Sequence, residues 1–383
     1  MLKRGRVATV GMCGKDEHVK WSILLGRVFG VEVRLHVTFL LLLGFFGWAA
    51  WKATGTLSGA LAGLAFHLAL FGCVLLHEFG HVLMAKRFGI RTKDVTLLPI
   101  GGVARLESTG NSPKQELLIA LAGPAVNLVI AAFAFGWWWL GPAAQSGFNY
   151  ETLQGSFPLV LMAANLFLLG FNLLPAFPMD GGRVLRALLS WNGNRVWATQ
   201  VASNVGRVMA VLFAFAGLFL VNQPMLLFIA LFVWIGATQE NQSVTTDSYL
   251  AGVPVRKTML TEFRLVSPFH TLEEVSGWVL AGFQHDFPVV AQGEVLGLIL
   301  RDDLFTALRE KGPETLARDV MRKEFVVATP EEPIDRVLRR AQATPGMPMT
   351  IPVLSGGILV GLVTAENVGE YVMMAAALRD GRR

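Results

Sequence analysis

Charge is scarce in this chain of 383 residues: 16% are charged and 53% hydrophobic, where a soluble domain carries about a quarter charged residues. The shortage is local. Residues 35–238 hold the long apolar runs, whereas 250–383 read like an ordinary soluble protein, so an integral membrane part followed by a water-soluble part is expected. Cysteine is nearly missing too. Cys13 and Cys73 cannot build a disulfide framework, and Cys73, inside an apolar segment, reads as a small buried thiol. The N-terminal stretch MLKRGRVATVGMCGKDEHVK holds no apolar run of signal-peptide length, which argues against a cleaved secretory signal. A net charge of +5 could suit a nucleic acid, but its distribution assigns it elsewhere.

Six apolar stretches are candidate membrane spans, at about 36–51, 59–85, 116–140, 157–177, 199–221 and 224–238. A helix needs roughly 20 apolar residues to cross the hydrocarbon core, so the first is a little short and the last distinctly so. Lys and Arg crowd alternate loops: the N-terminal arm, the loop after the second span, and the stretch after the fourth, whereas 141–156 and VNQP have none. The positive-inside rule then puts both termini in the cytoplasm of a multi-pass protein in the cell membrane. Because the lipid bilayer accounts for the basic residues, no nucleic-acid partner is expected. Trp137, Trp138 and Trp139 fall at the outer interface, where an aromatic belt belongs.

After Gln239 the text changes. Residues 254–312 and 318–378 read as two versions of one unit: a Met-bearing approach (VRKTML, ARDVMR), an extended run ending in proline, an amphipathic helix, two short strands around a glycine turn, and a last helix. A repeat of about sixty residues implies a tandem pair of β-α-β-β-α units. The organisation expected is a cytoplasmic arm (1–34), a transmembrane part (35–238), a linker (239–253) and the two soluble units.

The chemistry-bearing stretch is HEFGH, residues 77–81, near one end of a segment apolar enough to cross a bilayer. On a helix His77 and His81 are one turn apart on one face, so both imidazoles can meet one ion. Glu78 lies between their faces and can reach a water there without ligating the ion. Ionisable groups at membrane depth cost several kcal/mol unless paired or functional, which weighs against an accidental cluster. Catalytic zinc normally takes three protein ligands. Asp180, in FNLLPAFPMDGGR, is the economical third; the alternative is a surface aspartate capping the next helix. It is the only Asp between Asp94 and Asp247, and Pro175 and Pro178 stop a regular helix just before it. Counting 1.5 Å per residue from the outer side, His77 lies roughly 27 Å deep, near the inner rim of a core about 30 Å thick, and Asp180 lies at a similar depth.

HEFGH together with NLLPAFPMDGGR resembles the site-2 protease family of intramembrane zinc metalloproteases, over residues 21 to about 238. The resemblance implies a polytopic α-helical fold and one zinc ion per chain, held by His77, His81 and Asp180. Glu78 would be the general base, and Asn172 a substrate or transition-state contact; an amide bridging two helices is the other reading of Asn172. Substrates would be membrane proteins with a transmembrane segment, cleaved in regulated intramembrane proteolysis. AGPAVN, with Asn127, matches a further family feature and reads as close helix packing. VTLLPIGGVARLE reads as an extended, turning element; in the family such a segment dips toward the active site, which makes Gly101 and Gly102 candidate substrate contacts by strand addition.

The tandem units resemble a cystathionine-β-synthase (CBS) domain pair, which one branch of that family carries. Such pairs often bind adenine nucleotides through a closing G-h-h-[ST]-x-x-D pattern, where h is apolar. Each copy here is half complete. Gly297 and Asp303 are present but Leu300 replaces the hydroxyl residue; Thr364 is present but Asn367 replaces the acid. Asp303 and Thr364 are therefore the candidate nucleotide contacts, and a structural homodimerisation module is the other reading. Two further readings of the whole chain remain: a CBS-regulated transporter or channel, and an inactive membrane scaffold. The first does not explain why HExxH and Asp180 match in depth, and the intact Glu78 argues against the second.

Overall fold

The computed structural model describes residues 21–99, 101–106, 112–141, 156–282, 284–344 and 346–380. The basic N-terminal arm to residue 20, Ile100 and most of the loop after the tryptophan triplet lie outside them. The described chain falls into two compact units that divide between Val244 and Thr245.

The first unit begins with a hairpin, β1 (Ser22–Val28) and β2 (Val31–His36). The His36 ring caps α1 (Val37–Thr54), accepting from the Thr38 N–H at 3.3 Å. Gly55, at φ 66°, ends that helix in the left-handed conformation, and Thr56 caps the 31-residue α2 (Leu57–Arg87). Next come β3 (Thr92–Leu98) and β4 (Gly101–Leu106), which complete a four-stranded sheet in the order β1-β2-β3-β4. Strands β2 and β3 are parallel, because two long helices intervene, and β3 and β4 form an antiparallel hairpin. Strand β4 is thus an edge.

Four more helices follow. They are α3 (Pro113–Leu140), α4 (Phe157–Asn172), α5 (Asp180–Leu189) and α6 (Arg195–Phe215, continued by a wider π turn to Leu220). Helix α7 (Met225–Leu250) runs past the division between the units. Helices α1, α2, α3 and α6 with its extension are long and apolar enough to cross a membrane. The fourth expected span is shorter than its apolar run suggested: α4 has 16 residues and stops at Asn172, because Pro175 and Pro178 cannot continue it.

The solvent pattern of this unit is inverted. Phe133, Leu140, Phe219 and Phe228 are turned outward at 67% exposure or more, while Glu116, Asn127, Asn165, Thr199, Ser203 and Arg186 are buried. Water would reward the opposite arrangement; a hydrocarbon solvent rewards this one.

The second unit shows its repeat in the backbone. Its first half contains α8 (Leu272–Ala281), β5 (Phe287–Ala291), β6 (Glu294–Ile299) and α9 (Arg301–Lys311). Its second contains α10 (Ile334–Ala343), β7 (Ile351–Ser355), β8 (Ile358–Val363) and α11 (Ala365–Asp380). The two hairpins share a register, with an irregularity at the same place: between Val289 and Val290, and between Val353 and Leu354. Each half lends its Met-bearing approach to the other half's hairpin. Leu260 exchanges two backbone hydrogen bonds with Leu362 (2.7 and 3.0 Å), and Arg322 exchanges two with Leu298 (2.8 and 2.9 Å). Gly361 and Gly297 are bare so that the thioethers of Met259 and Met321 can lie over the strands: a Cβ would stand 2.7 and 3.0 Å from the two sulfurs.

Candidate metal centre

His77 and His81 lie on the inner face of α2, at 5% and 4% exposure. Asp180 is the first residue of α5 and is also buried. It arrives there through tight backbone contacts. A Cβ on Gly182 would stand 2.7 Å from the backbone of Ala176 and Phe177, so only glycine lets the first turn of α5 close on the proline-broken segment before it.

The three side chains converge. Asp180 Oδ2 lies 3.1 Å from His77 Nε2 and 3.0 Å from His81 Nε2, and the two nitrogens are 3.1 Å apart. The Ile119 carbonyl of α3 accepts a 2.7 Å hydrogen bond from His81 Nδ1. That places the ring proton on Nδ1 and leaves the Nε2 lone pair aimed at the other two atoms. Three electron-pair donors crowded together repel unless a cation lies among them. Zinc bonds of about 2.0–2.1 Å at tetrahedral angles set ligand atoms about 3.3–3.4 Å apart, a few tenths of an ångström beyond the separations here. The residues therefore fit a zinc ion, and among the described residues no other group of three or more His, Cys, Asp or Glu side chains converges in this way.

Two glycines shape the surroundings. A Cβ on Gly123 of α3 would run into Nε2 of both His81 and His77, so glycine there lets α3 pass directly beside the ligand atoms. A Cβ on Gly102 of β4 would come 2.5 Å from Glu78 Cγ and 3.2 Å from its Oε1. Gly102 thus makes room for the Glu78 carboxylate, while Gly101, at φ 137°, opens the strand. Glu78, Asn172, Asp180, Arg183, Gly101 and Gly102 all line one cavity of about 460 Å³, with the two histidines at its wall. Asn172, the last residue of α4, donates from Nδ2 to the Leu168 carbonyl at 3.0 Å. One amide hydrogen and the amide oxygen are left over.

The expectation of packing for Asn127 needs amending. Its backbone does sit where α3 passes close to α2, but its amide lines the same cavity, buried and with neither polar atom hydrogen-bonded. No sequence pattern points to the Ile119 carbonyl, a main-chain atom. Arg183, three residues after Asp180, was not singled out either, although spacing three on a helix would have placed it on Asp180's side.

The candidate nucleotide contacts part company. Both Asp303 oxygens are engaged by the Arg322 guanidinium, at 2.5 and 2.9 Å. Thr364 lines a cavity of about 590 Å³ whose other polar walls include Glu262, Arg264, Asp286, Glu366 and Glu370. The Thr364 hydroxyl is 2.8 Å from Asn367 Oδ1 and accepts from the Asn367 N–H. The Glu366 carboxyl is held below its ordinary range by its own backbone N–H and then by the Thr364 hydroxyl, so that wall stays anionic.

Comparison with known proteins agrees with this site. The Peptidase family M50 model matches residues 65–142 and 142–216, and the CBS domain model matches residues 317–373. A zinc metalloprotease of Methanocaldococcus jannaschii is 31% identical over 353 residues, which cover 91% of this chain and 96% of that protein. Stage IV sporulation protein FB of Bacillus subtilis is 37% identical over 139 residues, 36% of this chain and 44% of that protein. A solved structure, the site-2 protease from Methanocaldococcus jannaschii, shares 35% identity over 58% of this chain and 95% of that chain, with a TM-score of 0.43. The chain belongs to the site-2 protease (M50) family of zinc metalloproteases and carries a C-terminal CBS domain. It is a membrane protein with several apolar helices and a His-His-Asp metal site.

The close passage of α3 has a direct consequence. Gly123→Ala puts a methyl group against both ligand nitrogens and should weaken zinc binding about tenfold or more, the scale of a disturbed ligand shell. Chelator competition on purified protein measures it; wild-type affinity would show that the ligand atoms do not meet beside Gly123.

Proposed function

We propose that the chain hydrolyses peptide bonds in or near transmembrane segments of membrane-protein substrates, with Glu78 as the catalytic general base. The observation that carries this reading is the convergence of His77, His81 and Asp180 in one apolar-walled cavity with Glu78 and Asn172. His77, His81 and Asp180 would hold a zinc ion, which would supply Lewis-acid chemistry: polarising the scissile carbonyl and lowering the pKa of water. Glu78 takes the proton of the attacking water as its oxygen bonds to the scissile carbonyl carbon, then returns that proton to the amine nitrogen as the C–N bond breaks. The free N–H of Asn172 faces the carbonyl oxygen as charge builds on it.

Strand β4 is the substrate-holding element in this reading. It is a sheet edge, it borders the cavity through Gly101, Gly102, Val103 and Ala104, and one of its glycines lies against Glu78. An unwound substrate segment can add to it as a further strand, which presents its carbonyls beside the base. Six membrane crossings follow if the 16-residue α4 and the apolar first half of α7 also span, and the Lys/Arg-rich loops then put both termini in the cytoplasm. The parts would be an arm to residue 34, a protease domain over 35–238, a linker to 253, and CBS units over 254–312 and 318–378. The two soluble units would act as a regulatory pair and as a possible route to homodimers.

Glu78→Gln separates the protease from the transporter and scaffold readings. Cleavage of a co-expressed single-span substrate should fall by at least about a thousandfold while zinc stays bound; undiminished cleavage refutes the base. Val103→Pro removes a backbone N–H from β4 and should cut cleavage with zinc retained, so normal cleavage would exclude strand addition. In the soluble unit, the acidic cavity beside Thr364 favours an adenine nucleotide with little phosphate charge. Calorimetric titration of the full chain should show AMP binding more tightly than ATP; no heat with AMP, ADP or ATP would remove the nucleotide.

A further inference from the structure

The largest fully buried side chain among the described residues plays no part in the chemistry above. Arg186 has 0% exposure and lies six residues after Asp180 on α5. Its Nε donates to Glu116 Oε1 of α3 at 2.7 Å, and its Nη2 lies 2.5 Å from the same oxygen. Its Nη1 pairs with Glu240 of α7, and the guanidinium stands 5.0 Å over the Phe177 ring in the segment that feeds α5. Arg195 of α6 comes within 3.7 Å of Glu116 Oε2. Charges from four helices therefore meet here, with Arg186 and Glu116 buried and Glu240 and Arg195 reaching the pair from a partly exposed edge.

Such a cluster is a poor way merely to glue helices together. Burying ions is costly, and well-packed apolar side chains of similar volume often hold a fold as firmly. What a guanidinium adds is direction: its N–H groups donate in one fixed plane, here from Nε to Glu116 and from Nη1 to Glu240, and so resist sliding. The position of Glu116 shows what is being held. Glu116, Ile119 and Gly123 fall on one stripe of α3, at spacings of three and four. The Ile119 carbonyl holds His81, and Gly123 lies against both ligand nitrogens. Glu116 holds Arg186, and so holds α5, whose first residue is Asp180. One helix thus references both ligand-bearing helices within about two turns. α5 has only ten residues; a slip of one residue along its axis moves Asp180 by about 1.5 Å, enough to break the 3.0–3.1 Å triangle.

We propose that the buried Arg186–Glu116 pair, braced by Glu240, is a positioning device that sets the register of α5 on α3 and thereby the zinc affinity of the site. None of the three touches the metal or the substrate. The proposal rests on the metalloprotease reading of His77, His81 and Asp180.

The test uses the purified full-length chain with zinc as the probe. The triple variant Glu116→Gln, Arg186→Met, Glu240→Gln removes the charges while keeping side-chain volume. Zinc affinity by chelator competition, the visible spectrum of the cobalt-loaded protein and the melting temperature are read on the same samples. The expected result is near-normal melting of the metal-free protein, zinc affinity about ten- to a hundredfold lower, and an altered cobalt spectrum; Arg186→Lys, which keeps charge but not the planar guanidinium, falls between. A triple variant that melts normally and binds zinc within twofold of wild type overturns the proposal. If the triple variant does not accumulate, Glu240→Gln, at the cluster's more exposed edge, decides: a several-fold loss of zinc affinity supports the device, and unchanged affinity and spectrum overturn it. A wild-type chain that holds no zinc would instead sink the metalloprotease reading.

Discussion

The rest of the membrane unit depends on one unfavourable juxtaposition. Two imidazole nitrogens and a carboxylate oxygen stand 3.0–3.1 Å from one another, with the side chains buried. Left alone their lone pairs would repel; around a divalent cation each would become a bond. Folding must therefore force together groups from α2 and α5, 99 and 103 residues apart in sequence, inside a solvent that penalises every uncompensated charge. The glycines against the ligands, the carbonyl behind His81 and the buried ion cluster all make sense as means to that end.

Helix α3 carries most of this work without contributing a ligand. Its small residues let it lie closer to α2 than side chains would otherwise permit, and a Cβ on Gly80 of α2 would meet the Ala122 carbonyl at 2.7 Å. Close approach has a second effect. It puts Asn127 on the cavity wall with an amide that has no protein partner, so the cavity offers hydrogen-bonding capacity in an apolar setting. An unwound peptide needs such groups, because its own N–H and C=O groups lose their internal partners when its helix opens.

Much of this was legible in the sequence, for identifiable reasons. His77 and His81 are four residues apart on a helix, so their convergence follows from helix geometry alone. Asp180 could be found because aspartate is so rare in the apolar half and because prolines and glycines mark the turn that brings it inward. The end of α4 at Asn172 was less legible: the apolar run continues to Phe177, and hydropathy does not register that Pro175 has already ended the helix. The Glu116–Arg186 pair was illegible, since two charged residues 70 positions apart look like separate interfacial groups until the fold joins them. The extended segment pointed to Gly102 as a substrate contact, but its fit against the Glu78 side chain is visible only in the fold. In the second unit the repeat was visible as recurring text. The capture of Asp303 by Arg322 was not, because that pair links the last helix of one half to the approach of the next.

Zinc K-edge X-ray absorption on the purified full-length chain tests the central claim most directly. The account predicts one zinc per chain with only nitrogen and oxygen neighbours at about 2.0–2.1 Å, including the outer-shell scattering of two imidazole rings. A sulfur neighbour at about 2.3 Å, a single imidazole, or a protein without zinc would contradict it.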